Sequence, residues 1–428
     1  MDHANEASQA ADGPGDGLPQ PARNRAMLVI ILGIGMAVLD GSIVNLALPG
    51  IARELNASAA HAIWVVNAYQ IATLVMLLPL AALGERLGYR RVYFAGMALF
   101  AVSSVGGMLA DSLAALIVAR ALQGLGAAEL SYQGALPYAK ERLSMRSLSG
   151  KKFPDKVADP LIVHGDVRRM LLTQKAFAEG GRAMIYYAAK FTDHLIFGKT
   201  QEEKDEADDQ LGFLTPILKA FLTETGLEAA NLGMQVYGGH GYIKEWGMEQ
   251  IVRDTRIATL YEGTTGIQAL DLLGRKVLLG KMKTLKAFSF EVLKFCKDKG
   301  LISNNPHKKE MNKFIWPLVK YTTNWQQYSV RLALRARKNF DVVGCASVDY
   351  LMYSGYVSMA YFWAMMAQTA YEKLAAGTDQ PEFYKAKIQT AEFYFDRLLP
   401  RAKAHAECMM ASPKSLMKMK EENFSFLQ

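Results

Sequence analysis

The chain changes character within GLGAAELSYQGALPYAKERL, residues 124–143. On its N-terminal side, from Ala26 to Ala128, the only charged residues are Asp40, Arg53, Glu54, Glu85, Arg86, Arg90, Arg91, Asp111 and Arg120. Beyond Leu130 roughly a quarter of the residues are charged, the ordinary proportion for a domain facing water. The average over all 428 residues, 51% hydrophobic with a mean hydropathy of +0.04, conceals two stretches shaped by two solvents. Helix propensity is continuous through 124–143, so one helix can pass from one regime to the other, with Pro137 the place for a kink.

Working toward the N-terminus, four apolar runs follow one another with short loops between: Met27–Leu48, Ile63–Gly84, Val92–Ala110 and Ser112–Ala128. Each is about long enough to cross a hydrocarbon core of roughly 30 Å at about 1.5 Å per residue. Arg23 and Arg25 precede the first run, and Arg86, Arg90 and Arg91 lie between the second and third. Positive loops stay inside, so both ends of the segment face the cytoplasm of an inner or plasma membrane, and the remainder emerges there near Glu129. Residues 1–25 are rich in Ala, Gly, Pro and Asp without an apolar core, which predicts a disordered tail and no signal peptide.

Three local patterns within this segment are LDGSIVNLALP (Leu39–Pro49), ALGERLGYRR (Ala82–Arg91) and RALQGLGAA (Arg120–Ala128). Together they resemble the drug/proton antiporters of the major facilitator superfamily, with Glu85 standing where an aspartate is usual. The resemblance implies that Asp40 is an intramembrane acid and Arg120 an arginine of proton coupling. Ionisable groups at membrane depth are costly unless paired or turned to a polar cavity, so these two either act in transport or neutralise each other. The antiporter pathway lies between two six-helix halves, of which only part of one is here, so anchoring in membrane lipid is the expectation and transport the alternative.

Working toward the C-terminus, apolar residues recur at helical spacing in ILKAFLTETGLEAANLGMQVY and VSMAYFWAMMAQTAYEKLAAG, and strand signals are few. An all-α bundle is expected. The charged string KTQEEKDEADDQ, Lys199–Gln210, reads as a solvated loop between two helices. Helices break at GGHGY, Gly238–Tyr242, and after Tyr261, where Gly263 and Thr264 interrupt the pattern before IQALDLLGRKVLLG resumes it. Glu262 in that break is either a carboxylate placed for proton abstraction or an ordinary helix-end acid.

The string QVYGGHGYIKEWGMEQIVRDTRIATLYEGTTGIQAL, Gln235–Leu270, preceded by YAKERLSMRSLSG, Tyr138–Gly150, closely resembles the C-terminal helical domain of acyl-CoA dehydrogenases. TTGIQALDL and the tail KIQTAEFYFDRLLPRA are similar to the larger subfamily that includes the methylthiopropanoyl-CoA enzymes. The implied fold is all-α: four transmembrane helices (26–129), a four-helix bundle of the dehydrogenase type (130–285) and a further helical domain (286–428). The resemblance implies FAD as cofactor and an acyl-CoA thioester as substrate. Glu262 would be the base that takes the α-proton, its amide binding the thioester carbonyl, with Gly263 and Thr264 shaping the turn beside the flavin. Gln235, Gly238 and Gly239 would approach the adenosine portion, and Arg142 would reach the diphosphate of a neighbouring subunit's flavin in a homodimer or homotetramer. ERLSMRSLSG lacks the aromatic-glycine pair usual after that arginine, so Arg142 and Arg146 both stand. The cluster Arg253, Asp254 and Arg256 reads as structural.

Enzymes of this family also carry an N-terminal helical domain and a middle β-domain that hold most of the flavin, and no β-rich segment lies between Ala128 and Ser131. The chain therefore reads as a truncated transporter joined to a truncated dehydrogenase, with a partial flavin site. The net charge of +8 is dispersed, which argues against a nucleic-acid partner. Cys296, Cys345 and Cys408 are odd in number and far apart, without metal-ligand spacing, as suits a reducing compartment.

Overall fold

Residues 130–260 and 263–425 are described by a computed structural model, and they form helices joined by short connections. The tail, the four apolar runs, Asp40, Arg120 and Glu262 lie outside the described residues. Among the described residues no helix is long and apolar enough to cross a membrane. They belong to one unit, Glu129–Gln428.

Helix α1, Leu130–Glu141, contains Pro137. A loop follows, closed by a single antiparallel bridge between Leu143 and Pro160. Helices α2, Gly165–Phe197, and α3, Gln201–Tyr237, then form a long antiparallel pair, each roughly 50–55 Å at 1.5 Å per residue. The α2–α3 connection is only Gly198–Thr200. Gly198 bonds back to the His194 carbonyl at 2.8 Å, and a β-carbon there would stand 2.3 Å from the same oxygen.

The charged string Lys199–Gln210 is not a loop. All but its first two residues are the opening turns of α3. Thr200 caps the helix by accepting from the Glu203 amide at 3.2 Å, while the Glu203 carboxylate accepts from the Thr200 amide at 3.4 Å. Glu202 and Glu203 also sit where the helix dipole favours negative charge. Charge alone suggested a loop; the capping pattern and the strong helix formers that follow decide for helix.

Helix α4, Met248–Ile257, follows the glycine-rich turn, and α5, Thr265–Leu270, runs on into a π-helical segment, Asp271–Leu279. Then come α6 (Lys283–Cys296), α7 (Lys308–Ala336), α8 (Asp341–Ala375), α9 (Pro381–Phe393) and α10 (Ala402–Met409). Helix α8 is the axis of the unit: every residue from Tyr353 to Ala364 is buried, as expected of a helix apolar on all sides. It packs against α2, α3, α5, α7, α9 and α10.

One core therefore runs from Ala176 to Met409 across the segments read as bundle and further domain, and residue 285, where they were divided, lies inside α6. Among its members Trp325, Trp363, Phe213, Phe221 and Phe288 are almost wholly enclosed. Each such side chain contributes about 1.5–3 kcal/mol of burial. Three aromatic side chains inside bond across helices: Tyr353 Oη donates to the Tyr321 carbonyl at 2.8 Å, Tyr394 Oη to the Tyr356 carbonyl at 2.8 Å, and Trp363 Nε1 to the Ala176 carbonyl at 3.2 Å. At the surface Arg401 Nη1 meets both carboxylate oxygens of Glu228, at 2.8 and 2.9 Å, tying the C-terminal helices to α3.

Candidate functional site

Helix α3 carries both groups of candidate residues, at different levels along its length. At its C-terminal end Gln235 is exposed, and its carbonyl accepts from the Gly238 amide at 3.0 Å. Gly238 has φ +60° and ψ −138°, a conformation open essentially to glycine alone, and it stops the helix. Gly238 and Gly239 are exposed, and a β-carbon at either would meet nothing within 4 Å. The backbone there faces open space.

An aromatic cluster fastens this turn to α1. The rings of Tyr138 and Tyr237 stack at 3.9 Å, and those of His240 and Trp246 at 5.2 Å. Tyr138 Oη lies 2.8 Å from His240 Nδ1, and Tyr237 Oη donates to the Gly134 carbonyl at 2.9 Å. Burial pushes the Tyr237 hydroxyl above its ordinary pKa, so it remains a donor. Arg142 stands one turn beyond Tyr138, whose carbonyl accepts from its amide at 2.8 Å, and its side chain is exposed.

Arg146 has a different task. Its guanidinium donates to the carbonyls of Phe153, at 3.0 Å, and Lys156, and to Asp159 Oδ1 at 3.4 Å. Asp159 is fully buried and also accepts from the amides of Ser147 (2.9 Å), Lys152 (3.1 Å) and Phe153 (2.8 Å). The Ser147 amide, then those of Phe153 and Lys152, hold its carboxyl below the usual range against the opposing effect of burial. Asp159 organises the 147–159 loop, a role the sequence reading did not anticipate.

The second group lies nearer the middle of α3. Gly263 has φ +91°, and the exposed Thr264 precedes α5. The turn between α4 and α5 is fastened to α3 at two points. Lys219 Nζ donates to the carbonyls of Ala258 and Gly263, each at 2.9 Å, and Thr265 Oγ1 donates to Glu224 Oε1. Neither Lys219 nor Glu224 was a candidate from sequence; the sole signal was a lysine set in the apolar pattern ILKAFL. Glu262, between the fastened ends, is outside the described residues.

Lys219 and Gln235 stand sixteen positions apart on α3, roughly 24 Å along the helix. An extended ligand or two separate ligands can serve such a spacing; one compact ligand cannot. The proposed charge cluster on α4 divides its contacts: Asp254 accepts from Gln250 Nε2 at 2.6 Å, and Arg256 Nη1 donates to Thr259 Oγ1 at 2.9 Å.

Residues 112–278 match the family described as acyl-CoA dehydrogenase, C-terminal domain, and residues 288–420 the one described as acetyl-CoA dehydrogenase C-terminal like. Residues 30–142 match the major facilitator superfamily. The 3-methylmercaptopropionyl-CoA dehydrogenase of Ruegeria pomeroyi is 35% identical over 296 residues, 69% of this chain and 49% of that protein. The uncharacterized transporter YebQ of Escherichia coli is 54% identical over 115 residues, 27% of this chain and 25% of that protein. The crystal structure of an acyl-CoA dehydrogenase complexed with FAD from Bacillus anthracis superposes with a TM-score of 0.49 at 17% identity, covering 65% of this chain and 45% of that one. The chain thus spans half or less of the length of these relatives. It carries a major facilitator superfamily region at its N-terminus and, following it, the C-terminal domains of an acyl-CoA dehydrogenase.

Proposed function

We propose that residues 130–428 form the helical half of a flavin-dependent acyl-CoA dehydrogenase site, tethered to a membrane by the transporter-like region before them. The observation that carries this reading is the turn from Ala258 to Thr265, fastened at both ends to α3, into which the sequence puts a carboxyl at Glu262 beside Gly263. In this reading Glu262 takes the α-proton of an acyl-CoA thioester, and its own amide donates to the thioester carbonyl, which acidifies that carbon. FAD supplies the acceptor for the β-hydride, so the thioester leaves α,β-unsaturated. Gly263 and Thr264 shape the turn beside the ring.

Arg142 is assigned to the diphosphate because Arg146 is committed to the Asp159 loop, and Gln235, Gly238 and Gly239 are assigned to the adenosine side. A neighbouring copy in a homodimer or homotetramer would present the cofactor to them. The two family matches overlap at residues 112–142, leaving no β-domain between them, so a partner chain must supply the rest of the flavin site. Alone, the chain holds FAD in part.

The test starts from carbonate-washed membranes, where the protein is expected in the pellet. Protein purified in mild detergent together with the partner chain that accompanies it is then mixed with FAD and an acyl-CoA, and the visible flavin band is followed. Bleaching on acyl-CoA addition that is lost in Glu262→Gln is the expected result; absence of bound flavin, or bleaching that survives Glu262→Gln, overturns the proposal. A second reading rests on the 54% identity to the transporter: a truncated transporter with a helical appendage, using Asp40 and Arg120. Proton-coupled drug efflux lost in Asp40→Asn would favour it.

A further inference from the structure

We infer that Tyr138 is a positioning residue whose hydroxyl holds the Gly238–Gly239 turn beside Arg142; the geometry stands by itself, and its consequence for a cofactor rests on the dehydrogenase reading. The turn has little of its own to hold it. Gly238 and Gly239 are exposed and carry no side chains, and the space where their β-carbons would stand is open. Glycine loses more freedom on ordering than any other residue, so two in succession call for a tie from outside. Tyr138 of α1 supplies it on both sides. Its Oη donates to the Tyr237 carbonyl at 3.4 Å and lies 2.8 Å from His240 Nδ1, so the two contacts bracket the two glycines. A carbonyl only accepts and a phenol carries one proton, so both bonds form together in one arrangement: Tyr138 donates to Tyr237, and His240 Nδ1–H donates to Tyr138 Oη. Tyr237 closes α3, and its carbonyl is one of those a helix end leaves without an intrahelical partner.

The same tyrosine holds Arg142, whose amide donates to the Tyr138 carbonyl at 2.8 Å. Its own helix is anchored: Ala135 and Ala139 of α1 are 0% exposed and share a core with Met170 and Leu171 of α2 and Val236 of α3. His240 is braced by the Trp246 ring, stacked on it at 17°. The open glycine backbone and the exposed guanidinium are thus tied through one residue, at a separation set by α1. A ligand that reaches from a diphosphate to an adenosine needs that separation kept. Tyr237 supplies the contrast. Its hydroxyl donates to the Gly134 carbonyl at 2.9 Å, within α1 and not to the turn. Removing either hydroxyl spares the stacked rings of Tyr138 and Tyr237, but only that of Tyr138 holds the glycines.

The test compares Tyr138→Phe and Tyr237→Phe with wild type, each as the full-length chain purified in mild detergent together with the partner chain that accompanies it. Hydrogen exchange is read at the amides of Gly238 and Gly241, which bond to the carbonyls of Gln235 and Gly238 at 3.0 Å, and the Kd for FAD is measured by flavin fluorescence. In Tyr138→Phe exchange at these amides is expected to rise about tenfold while α2 and α8 keep their protection, and the Kd for FAD to rise about tenfold; Tyr237→Phe stays within about twofold of wild type in both. Unchanged exchange in Tyr138→Phe, an equal rise in the two variants, or faster exchange throughout the unit overturns the inference. So does an unchanged Kd for FAD in Tyr138→Phe where wild type binds and bleaches the flavin, and the dehydrogenase reading then survives. If wild type binds no FAD but the exchange pattern holds, the dehydrogenase reading fails and the tie stands.

Discussion

Gly355 shows how little room the core leaves. A β-carbon there would stand 2.2 Å from Phe221 Cγ, and Phe221 is itself wholly enclosed. Gly355→Ala is therefore expected to destabilise the unit by about 1–3 kcal/mol through overpacking. Gly344 lies on the same helix with nothing within 4 Å of its β-carbon position, so Gly344→Ala is expected to be neutral or to stabilise by about 0.5–1 kcal/mol through helix propensity. Thermal melts of the two variants check the pair, and equal shifts would contradict the packing argument. The glycines at 238 and 263 differ again: positive φ, not crowding, restricts the first, and both restrict the second, where a β-carbon would meet Gln268 Nε2 at 3.1 Å.

Helix α3 begins where charge density alone pointed to a loop. Its first turn is held by the reciprocal bonds of Thr200 and Glu203 and by the Glu203 carboxylate's further bond from the Lys199 amide at 2.8 Å. Thr200→Ala is expected to cost about 1 kcal/mol and to fray Gln201–Asp205. A lower Tm with faster amide exchange confined to that turn is the checking result; loss of protection near Lys219 is not expected, because tertiary packing holds α3 there. Start and stop signals made α3's far end legible, since Gly238 breaks it where the sequence placed the break. The near end was misread because a run of Glu, Asp and Lys serves equally as solvated loop and as the exposed opening of a helix.

Across the unit, burial keeps an unusual set of weak acids neutral. Tyr187, Tyr350, Tyr353, Tyr361 and Tyr394 are all raised above their ordinary pKa of 10.0, chiefly by burial, and burial pushes the Cys296 thiol up to about 12. Their folded pKa values lie above the unfolded ones, so the stability they carry is complete below about pH 9, where the unfolded chain also keeps them protonated. Above pH 9–10 the unfolded chain releases protons that the folded one retains, and stability falls as pH rises. Tm measured from pH 8 to pH 11 is expected to be level at first and then to drop ever more steeply; a level profile to pH 11 would contradict the buried-phenol account. Exposed ion pairs such as Lys283–Asp209, at 2.6 Å, add little to this balance.

Local pattern by itself determined the change in charge density either side of residues 124–143, the helical class of everything described, and the breaks at Gly238 and at Gly263–Thr264. Each depends on residues within a few positions of one another. Only the tertiary structure decided what holds those breaks in place. Lys219 meets carbonyls 39 and 44 positions away, Tyr138 meets Tyr237 and His240 across a gap of about a hundred residues, and Arg146 was separated from Arg142 by its contact with a buried Asp159. Periodicity and composition record which face of a helix is apolar, but not which residue of a distant segment that face brings within 3 Å of it. That pairing is a property of packed helices in three dimensions.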